Sequence, residues 1–587
     1  MKGKQHYRFY IAASIALLTF IVFLSSLQNK FVSWDDDKYV YENPLIRSLD
    51  LKFLKSAFSE FHAWNYHPLT MLSHAVDYAI WGLNPLGHHL TNNILHALNT
   101  FLVVLLVMKL MEVFKKTEEH SELPQPFLND RAVWITGAVT GLLFGLHPLR
   151  VEAVAWIADR KELLCAFFYL LSIYSYTNYV REINISASTN ARSRFSNKKY
   201  LLSIGFFIFS LLSKPMAVSL PVVLLIFDWY PFRRVQSLKT FMAVFSEKIP
   251  FVVLSLVFSI LTILAQKAGG ALVSMQRIPL SMRLPIALRS LTAYLVKMIL
   301  PLNLIPVYPY PNSVSLLSLE YIISIVIVIA ITSTCIVVTR YQKIWLSVWS
   351  YYVITLIPVL GIVQVGGQPM GDRFTYLPSL GPFLVLGLTV SWLLEKINRF
   401  QRSRSIIKVF AACVASFVFA ALIFLTVAQI GIWKNSIVFW SYVIRMEPGR
   451  VPMAYNNRGL AFDESGQVDR AIADFDRAIA INPSYSDAYY NRGTVFYKTG
   501  LFKAAMDDFD RTIALDPEYY KAYNNRGAVY YTMEEFDRAI ADYDRAIVLN
   551  PSYFQAYYNR GLAFNKVGRF DEATKDLNEA SFLRHQR

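Results

Sequence analysis

The sequence predicts an all-α protein in two parts: a polytopic helical membrane domain over about residues 1–440, then a helical solenoid over 452–587. Three observations predict it. Of the 587 residues, 54% are hydrophobic, too many for a wholly soluble chain. The apolar residues gather in runs close to the ~20 residues that a bilayer span needs. Asn-Arg-Gly recurs at Gly459, Gly493, Gly527 and Gly561, a period of 34, which is the tetratricopeptide period.

Lys2, Lys4 and Arg8 precede an apolar run over residues 10–27. The run is long and lacks a small-x-small cleavage site, so it reads as a signal anchor with a cytoplasmic N-terminus. Residues 27–89 follow as an external loop. Further spans are expected near 90–111, 132–147, 163–180, 200–213, 215–230, 249–266, 318–339, 344–363, 380–395 and 407–432, about 11 in all. Basic segments read as cytoplasmic: Lys115 and Lys116; Arg181, Arg192, Arg194, Lys198 and Lys199; Arg233, Arg234, Lys239 and Lys248. The net charge of +16 is then topogenic, and no nucleic-acid partner is expected. Residues 267–317 read as a second external loop with an interfacial or re-entrant helix. An odd number of crossings places the repeats outside the cytoplasm. Cys165, Cys335 and Cys413 lie within apolar runs and suggest neither disulfides nor zinc.

The repeats divide as 452–485, 486–519, 520–553 and 554–587. In the first, Tyr455, Gly459, Phe462, Ala471, Phe475, Ala478 and Pro483 fill the pattern. Glycine and alanine let the two helices approach, and the aromatics fill the groove between them. Asn457, Asn491, Asn525 and Asn559 share one site on each first helix, on the concave face of such a solenoid. A row of amides there can donate to and accept from a peptide backbone. The row resembles the asparagine ladder of the nucleocytoplasmic O-linked N-acetylglucosamine transferase. The plainer reading is packing between adjacent repeats.

The stretch FVSWDDDKYVYENP places Asp35, Asp36 and Asp37 just past the anchor. A carboxylate at the bilayer centre costs about 2.5–3.5 kcal/mol, so the cluster belongs in water or at the interface, as the floor of an active site. Other polar residues fall on the same side. They are His67, Asp77, His88 and His89; His147, Arg150, Glu152, Asp159, Arg160 and Lys161; Lys214; Gln266, Arg277 and Arg283; Gln364, Gln368, Asp372, Arg373 and Tyr376. Acids in one loop and cations in several suit a site that activates a hydroxyl and holds a phosphate. A carboxylate serves as general base, and arginine and lysine stabilise a leaving phosphate. The plainer alternatives are a solvated acidic loop, packing histidines and interfacial anchors.

The strings WDDDKYVYENPLI, WNYHPLTMLSHAVDYAIWGLNPLGHHLTNNILHALN, LHPLRVEAVAWIADRKELL, LLSKPMAVSLPVVLLIFDWYP and GGQPMGDRFTYLPSLG are similar to the bacterial relatives of the transmembrane O-mannosyltransferases with tetratricopeptide repeats. That resemblance implies a GT-C fold and a polyprenyl-phosphate sugar donor. It maps the catalytic acidic pair onto Asp35 and Asp36, with Asp37 outside the pair. Arg160, Lys161, Lys214 and Arg373 are the candidates for the donor phosphate, and Asn457, Asn491, Asn525 and Asn559 for a polypeptide acceptor. No cofactor is required; a divalent cation could neutralise the same phosphate. The expected location is a bacterial inner membrane, with the repeats extracytoplasmic. Two rival readings stand beside this one: a GT-C enzyme acting on a glycan or lipid, and a non-catalytic scaffold displaying repeats.

Overall fold

Helices build the chain from end to end, as the apolar runs and the 34-residue repeat require. The computed structural model describes residues 2–119, 128–185, 195–270, 278–311, 314–315, 317–362, 368–398 and 404–585. Arg192, Arg194, Arg277 and Gln364 lie outside them. Among the described residues, extended pairing is limited to an isolated bridge between His62 and Asn65. Two compact units result, Met1–Lys434 and Asn435–Arg587.

In the first unit, seven helices are long and apolar enough to cross a membrane: His6–Gln28, Pro85–Glu119, Ile157–Ile183, Ile249–Ala268, Leu319–Val338, Leu380–Asn398 and Ser405–Ile432. Asp130–Leu146 with Pro148–Ala155, bent by 55°, makes an eighth if the pair is one span. The chain is a multi-pass membrane protein, but the expected count of eleven is too high by this measure. The reason is helix length. The expected spans 132–147, 200–213 and 215–230 already stop at Pro148 and Pro215, whereas the expected span 344–363 is cut at Pro358 by a 3₁₀ turn, because proline removes an N–H and restricts the residue before it. Lys198–Ser213 is left with 16 residues, about 24 Å against a hydrocarbon core of about 30 Å. Leu220–Trp229 and Ile344–Leu356 are shorter still. Within the second expected loop, residues 280–299 form a helix carrying Arg283, Arg289 and Lys297, and it is not among the candidate spans.

The Pro85–Glu119 helix is the central post. It packs on Lys2–Phe23, Asp130–Leu146 and Arg160–Ile185. Gly137, Gly141 and Gly145 line one face of Asp130–Leu146 at four-residue spacing. A Cβ on them would collide with Met108, Val104 and Thr19. Small residues in this register let backbones approach in a medium that supplies no hydrophobic drive between helices.

Polar groups collect at two levels. Arg160 and Tyr176 stand 16 residues apart on one helix, a rise of about 24 Å. At the Tyr176 level, Asp228 accepts from Tyr176 Oη (2.7 Å), pairs with Arg234 (2.8 Å) and pairs with Lys248 (2.6 Å). Arg234 also pairs with Glu247 at 2.6 Å. Arg234 and Lys248, read from the sequence as topogenic charges, are therefore buried structural ions.

The second unit opens with Ser436–Met446 and continues as four helix pairs from Pro452–Glu464 to residues 570–585. A Cβ on Gly459 would come within 2.7 Å of Phe475, and one on Gly527 within 2.7 Å of Tyr543, which is the close approach the repeat pattern requires. The arginine of each Asn-Arg-Gly makes a bidentate pair with an aspartate 16 residues on: Arg458 with Asp474, Arg492 with Asp508, Arg526 with Asp542, Arg560 with Asp576, at 2.6–2.8 Å. From the second repeat onward it also reaches back to Asp476, Asp510 or Asp544 of the preceding one. Arg492→Ala strips both contacts and should weaken the repeats by about 1.5–3 kcal/mol. Arg477→Ala, on an exposed face, should stay within about 0.5 kcal/mol. Pulse proteolysis of the full-length chain reads the difference; equal protection of the two variants would remove the ladder's structural role.

Candidate active site

The acidic loop is held by its middle carboxylate. Asp36 is 1% exposed. Its Oδ2 accepts from the Val32 N–H and its Oδ1 from the Ala158 N–H, both at 2.9 Å. One side chain thus ties the loop to itself and to the turn before the Arg160–Ile185 helix. Trp156 adds a second tie, donating from Nε1 to the Trp34 carbonyl at 2.7 Å. Burial pushes the Asp36 carboxyl up to about 8, against its two backbone donors, and Asp35 and Asp37 push the same way. Burial likewise raises Asp37. Asp35 differs from both. Its φ is +63°, a left-handed conformation that aspartate tolerates better than most residues. Its side chain is 29% exposed and accepts from Lys38 Nζ at 3.0 Å.

The four cations expected to hold a phosphate have different surroundings. Arg160 is fully buried and committed to protein acceptors. Nε donates to Asn92 Oδ1 (2.8 Å), Nη1 to the Ser73 carbonyl (3.2 Å), and Nη2 to the His88 carbonyl (2.8 Å) and Asp77 (2.5 Å). Lys214 pairs with Glu162 and lies 3.8 Å from Asp159. Burial pulls Lys214 down, but Glu162 and Asp159 together raise it above its ordinary value. Arg373 pairs with Glu152 through Nη1, and its backbone N–H donates to Glu152 at 2.9 Å. Lys161 is the exception. Nζ sits 4.6 Å from the centre of the Tyr39 ring and donates to Tyr39 Oη at 3.3 Å. Among the described residues it has no carboxylate partner within 4.0 Å, although Asp159, Asp35, Lys214 and Arg373 all act on it electrostatically. Asp35, Lys161, Lys214 and Arg373 thus share one electrostatic neighbourhood, while Arg160 lies in the network behind it.

The walls of the cluster are Tyr39, Trp156 and His67. His67 stacks on Tyr39 at 5.2 Å, and burial, reinforced by Lys161, holds it well below the usual histidine range. Tyr308 donates to Asp372 at 2.8 Å, beside Arg373. Glu152 and Asp159 stand among the outward polar residues of the sequence reading, without a role as partners of the cations. Glu162 is absent from that reading, and its place beside Arg160 and Lys161 in ADRKE was the available signal. Asp159 is fully buried, and neither of its oxygens has a hydrogen-bond partner. Among the described residues no group of three or more His, Cys, Asp or Glu side chains is arranged to hold a metal ion.

Three of the four repeat asparagines donate to other residues of the preceding repeat. Asn491 donates to Asn456 (2.9 Å), Asn525 to Tyr490 Oη (3.1 Å) and Asn559 to Asn524 (3.0 Å), each in the preceding repeat. Asn457 accepts from its neighbour Asn456 at 3.1 Å.

Two predictions follow from these contacts. A folded-state value near 8 lies above the ~3.9 of an exposed aspartate, so between those values the unfolded chain binds fewer protons at Asp36. The stabilisation from this group is full below about pH 4 and is lost as pH rises toward 8. Melting in detergent from pH 5 to 8.5 should decline less steeply for Asp36→Asn than for the wild type; parallel curves would refute this. Arg160→Met strands the buried Asp77 and should cost about 3–5 kcal/mol, whereas Lys161→Met should melt close to the wild type. Equal melting of the two would dissolve the distinction.

Family models described as tetratricopeptide repeat match residues 486–519, 520–553 and 554–581, and a TPR repeat model matches 459–500. Human protein O-mannosyl-transferase TMTC4 is 35% identical over 121 residues, 20% of this chain and 15% of that protein. Drosophila melanogaster protein O-mannosyl-transferase Tmtc2 is 31% identical over 28% of this chain and 16% of its own length. Mouse protein O-mannosyl-transferase TMTC2 is 29% identical over 31% and 19%. The matched stretches therefore span less than a fifth of these relatives. Among solved structures, the crystal structure of MamA is 28% identical with a TM-score of 0.24, covering 26% of this chain and 88% of MamA. Proteins named protein O-mannosyl-transferase are thus among the sequence relatives of this chain, and its C-terminal unit is built of tetratricopeptide repeats.

Proposed function

We propose that this chain is a membrane glycosyltransferase that moves a mannose-like sugar from a polyprenyl-phosphate donor to a hydroxyl, most simply a Ser or Thr of a protein, on the extracytoplasmic side. The N-terminus is then cytoplasmic and the repeats extracytoplasmic. One observation carries the reading. Asp35 is presented beside a group of cations in which Lys214 and Arg373 already have carboxylate partners and Lys161, among the described residues, has none within 4.0 Å. The names of the relatives support the sugar and the acceptor.

In this reading Asp35 is the general base, and Asp36 is the positioning residue that fixes its loop. The Asp35 carboxylate takes the proton of the acceptor hydroxyl as that oxygen bonds to the anomeric carbon. The bond from that carbon to the phosphate oxygen breaks, and its electron pair stays on the phosphate. The transition state resembles the oxocarbenium ion of glycoside cleavage, and a single displacement inverts the anomeric configuration. A phosphate needs charge compensation more than a proton in order to leave. Lys161 supplies that charge directly, and Lys214 and Arg373 add to the field.

A second reading has its own observation. Asn491, Asn525 and Asn559 each use amide hydrogen bonds on the preceding repeat, which suits repeats that serve assembly while the enzyme acts on a glycan or lipid. Deleting residues 452–587 separates the two readings, because only a protein-acceptor enzyme needs the repeats.

The test of the reading is sugar transfer from radiolabelled polyprenyl-phosphate mannose to a panel of secreted and membrane proteins. Asp35→Asn should lower kcat by about 10²–10⁴ with melting unchanged, and Lys161→Met should raise the donor KM. A folded Asp35→Asn protein that transfers at the wild-type rate would refute the assignment of the base. A wild-type protein that transfers no lipid-linked sugar would refute the enzyme and favour the scaffold.

A further inference from the structure

The far end of the membrane unit carries a second feature. On the Pro85–Glu119 helix, the His88 carbonyl touches Arg160 at the active-site level. Glu118 lies thirty residues further on, about 45 Å along the axis. There a cavity of ≈ 320 Å³ opens between Phe114, Glu118, Tyr230, Trp345, Leu388 and Trp392. It shares Phe114, Tyr230 and Ile344 with a narrower slot of ≈ 90 Å³, which continues between the same helices to Leu106, Tyr351 and Leu380. Leu106 to Glu118 and Leu380 to Trp392 line the pair of spaces on two facing helices. Each stretch advances 12 residue steps, about 18 Å. The two spaces together form a mostly apolar channel, wide at one end, where Glu118, Gln342 and Thr389 also line it, and narrow at the other.

Its two ends differ chemically. The narrow end stops at Tyr351, which donates to the Leu377 carbonyl at 3.0 Å, just beyond the Asp372–Thr375 turn of the candidate site. The wide end carries two tryptophans and exposed lysines. Lys396 lies 5.2 Å from the Trp392 ring and Lys343 5.9 Å from the Trp229 ring. The acid at this end is already compensated, since Glu118 accepts from Tyr230 Oη at 2.7 Å and pairs with Arg233 at 3.3 Å. Glu119 pairs with Lys115, and Glu395 lines a separate crevice with Asn129 and Arg131.

We infer that this channel is a binding site for an anionic phospholipid, with one acyl chain in the slot and its phosphate at Lys343 and Lys396. An apolar space among membrane helices takes hydrocarbon and not water, because water there finds no hydrogen-bond partners. Indole rings and lysines at the mouth are the side chains that meet lipid headgroups at a membrane interface. The taper gives the direction. The wide, cationic mouth lies at the end away from Asp35, so the lipid enters there headgroup outermost. The tail of a donor bound at Asp35 would have to begin in the ≈ 90 Å³ end. The site is separate from the proposed sugar-transfer chemistry and stands whether or not that reading holds.

The test uses the full-length protein in nanodiscs doped with phosphatidylglycerol or phosphatidylcholine, each bearing a photoactivatable diazirine in one acyl chain, with adducts mapped by mass spectrometry. Adducts are expected on residues 344–356 and 380–392. Phosphatidylglycerol should label them about tenfold more than phosphatidylcholine, the effect of two lysines beside a charged headgroup. Lys343→Glu/Lys396→Glu should erase that preference while melting stays unchanged. Three results would overturn the inference: no adducts on these helices, equal labelling by the two lipids, or displacement of the adducts by an equimolar polyprenyl phosphate, which would assign the channel to the donor chain.

Discussion

The membrane unit depends on a carboxyl group that is almost wholly removed from solvent. Asp36 accepts the N–H groups of Val32 and Ala158, and without it both donors would be buried and unpaired, at about 1–3 kcal/mol each. Its two bonds join the acidic loop to the turn that starts the Arg160–Ile185 helix. That helix begins with Arg160, Lys161 and Glu162, so the same contact sets the distance between the acids of one loop and the cations of another. Asp35 takes its left-handed φ beside this anchor, and its carboxylate, like that of Asp37, stays partly in contact with solvent. Adjacent identical residues thereby acquire different work from their surroundings alone.

Many of the charges inside the unit are paired. Arg160 with Asp77, Lys214 with Glu162, Arg373 with Glu152, and Arg234 and Lys248 with Asp228 are pairs in which at least one partner is nearly or fully buried. Removing water from ions is costly unless each finds a partner of opposite sign. Among the described residues Arg150 and Lys161 have no carboxylate within 4.0 Å; Arg150 is fully buried among aromatic rings and donates to Ser379, and Lys161 stands at the candidate site. Lys161 rests on aromatic rings instead of a carboxylate, an arrangement that leaves its charge available to an anion.

The repeat unit solves a different problem with the same residue types. Each first helix carries a glycine where the second helix crosses and an arginine that clamps it. From the second repeat on, the guanidinium also holds the preceding repeat. The asparagine beside the arginine bonds toward the preceding repeat in three of the four units. The Asn-Arg-Gly signature therefore encodes close approach, clamping and stacking in three consecutive residues.

The sequence by itself determined the helical class, the membrane character and the presence of the repeats, because each rests on a local pattern. Runs of apolar residues report a hydrocarbon environment, and a 34-residue period reports a stacked unit. The acidic loop was legible for the same reason, since three neighbouring carboxylates cannot sit in hydrocarbon. Tertiary structure alone decided which apolar runs form long helices, because only it shows how short the helices on either side of Pro215 and before Pro358 are. It alone separated Asp35 from Asp36, and Lys161 from Arg160. Those neighbours are nearly alike in sequence and differ only in what surrounds them. Partners such as Ala158, Asp77, Glu152 and Glu162 arrive from other segments, and the desolvation and pairing of a charge depend on those partners.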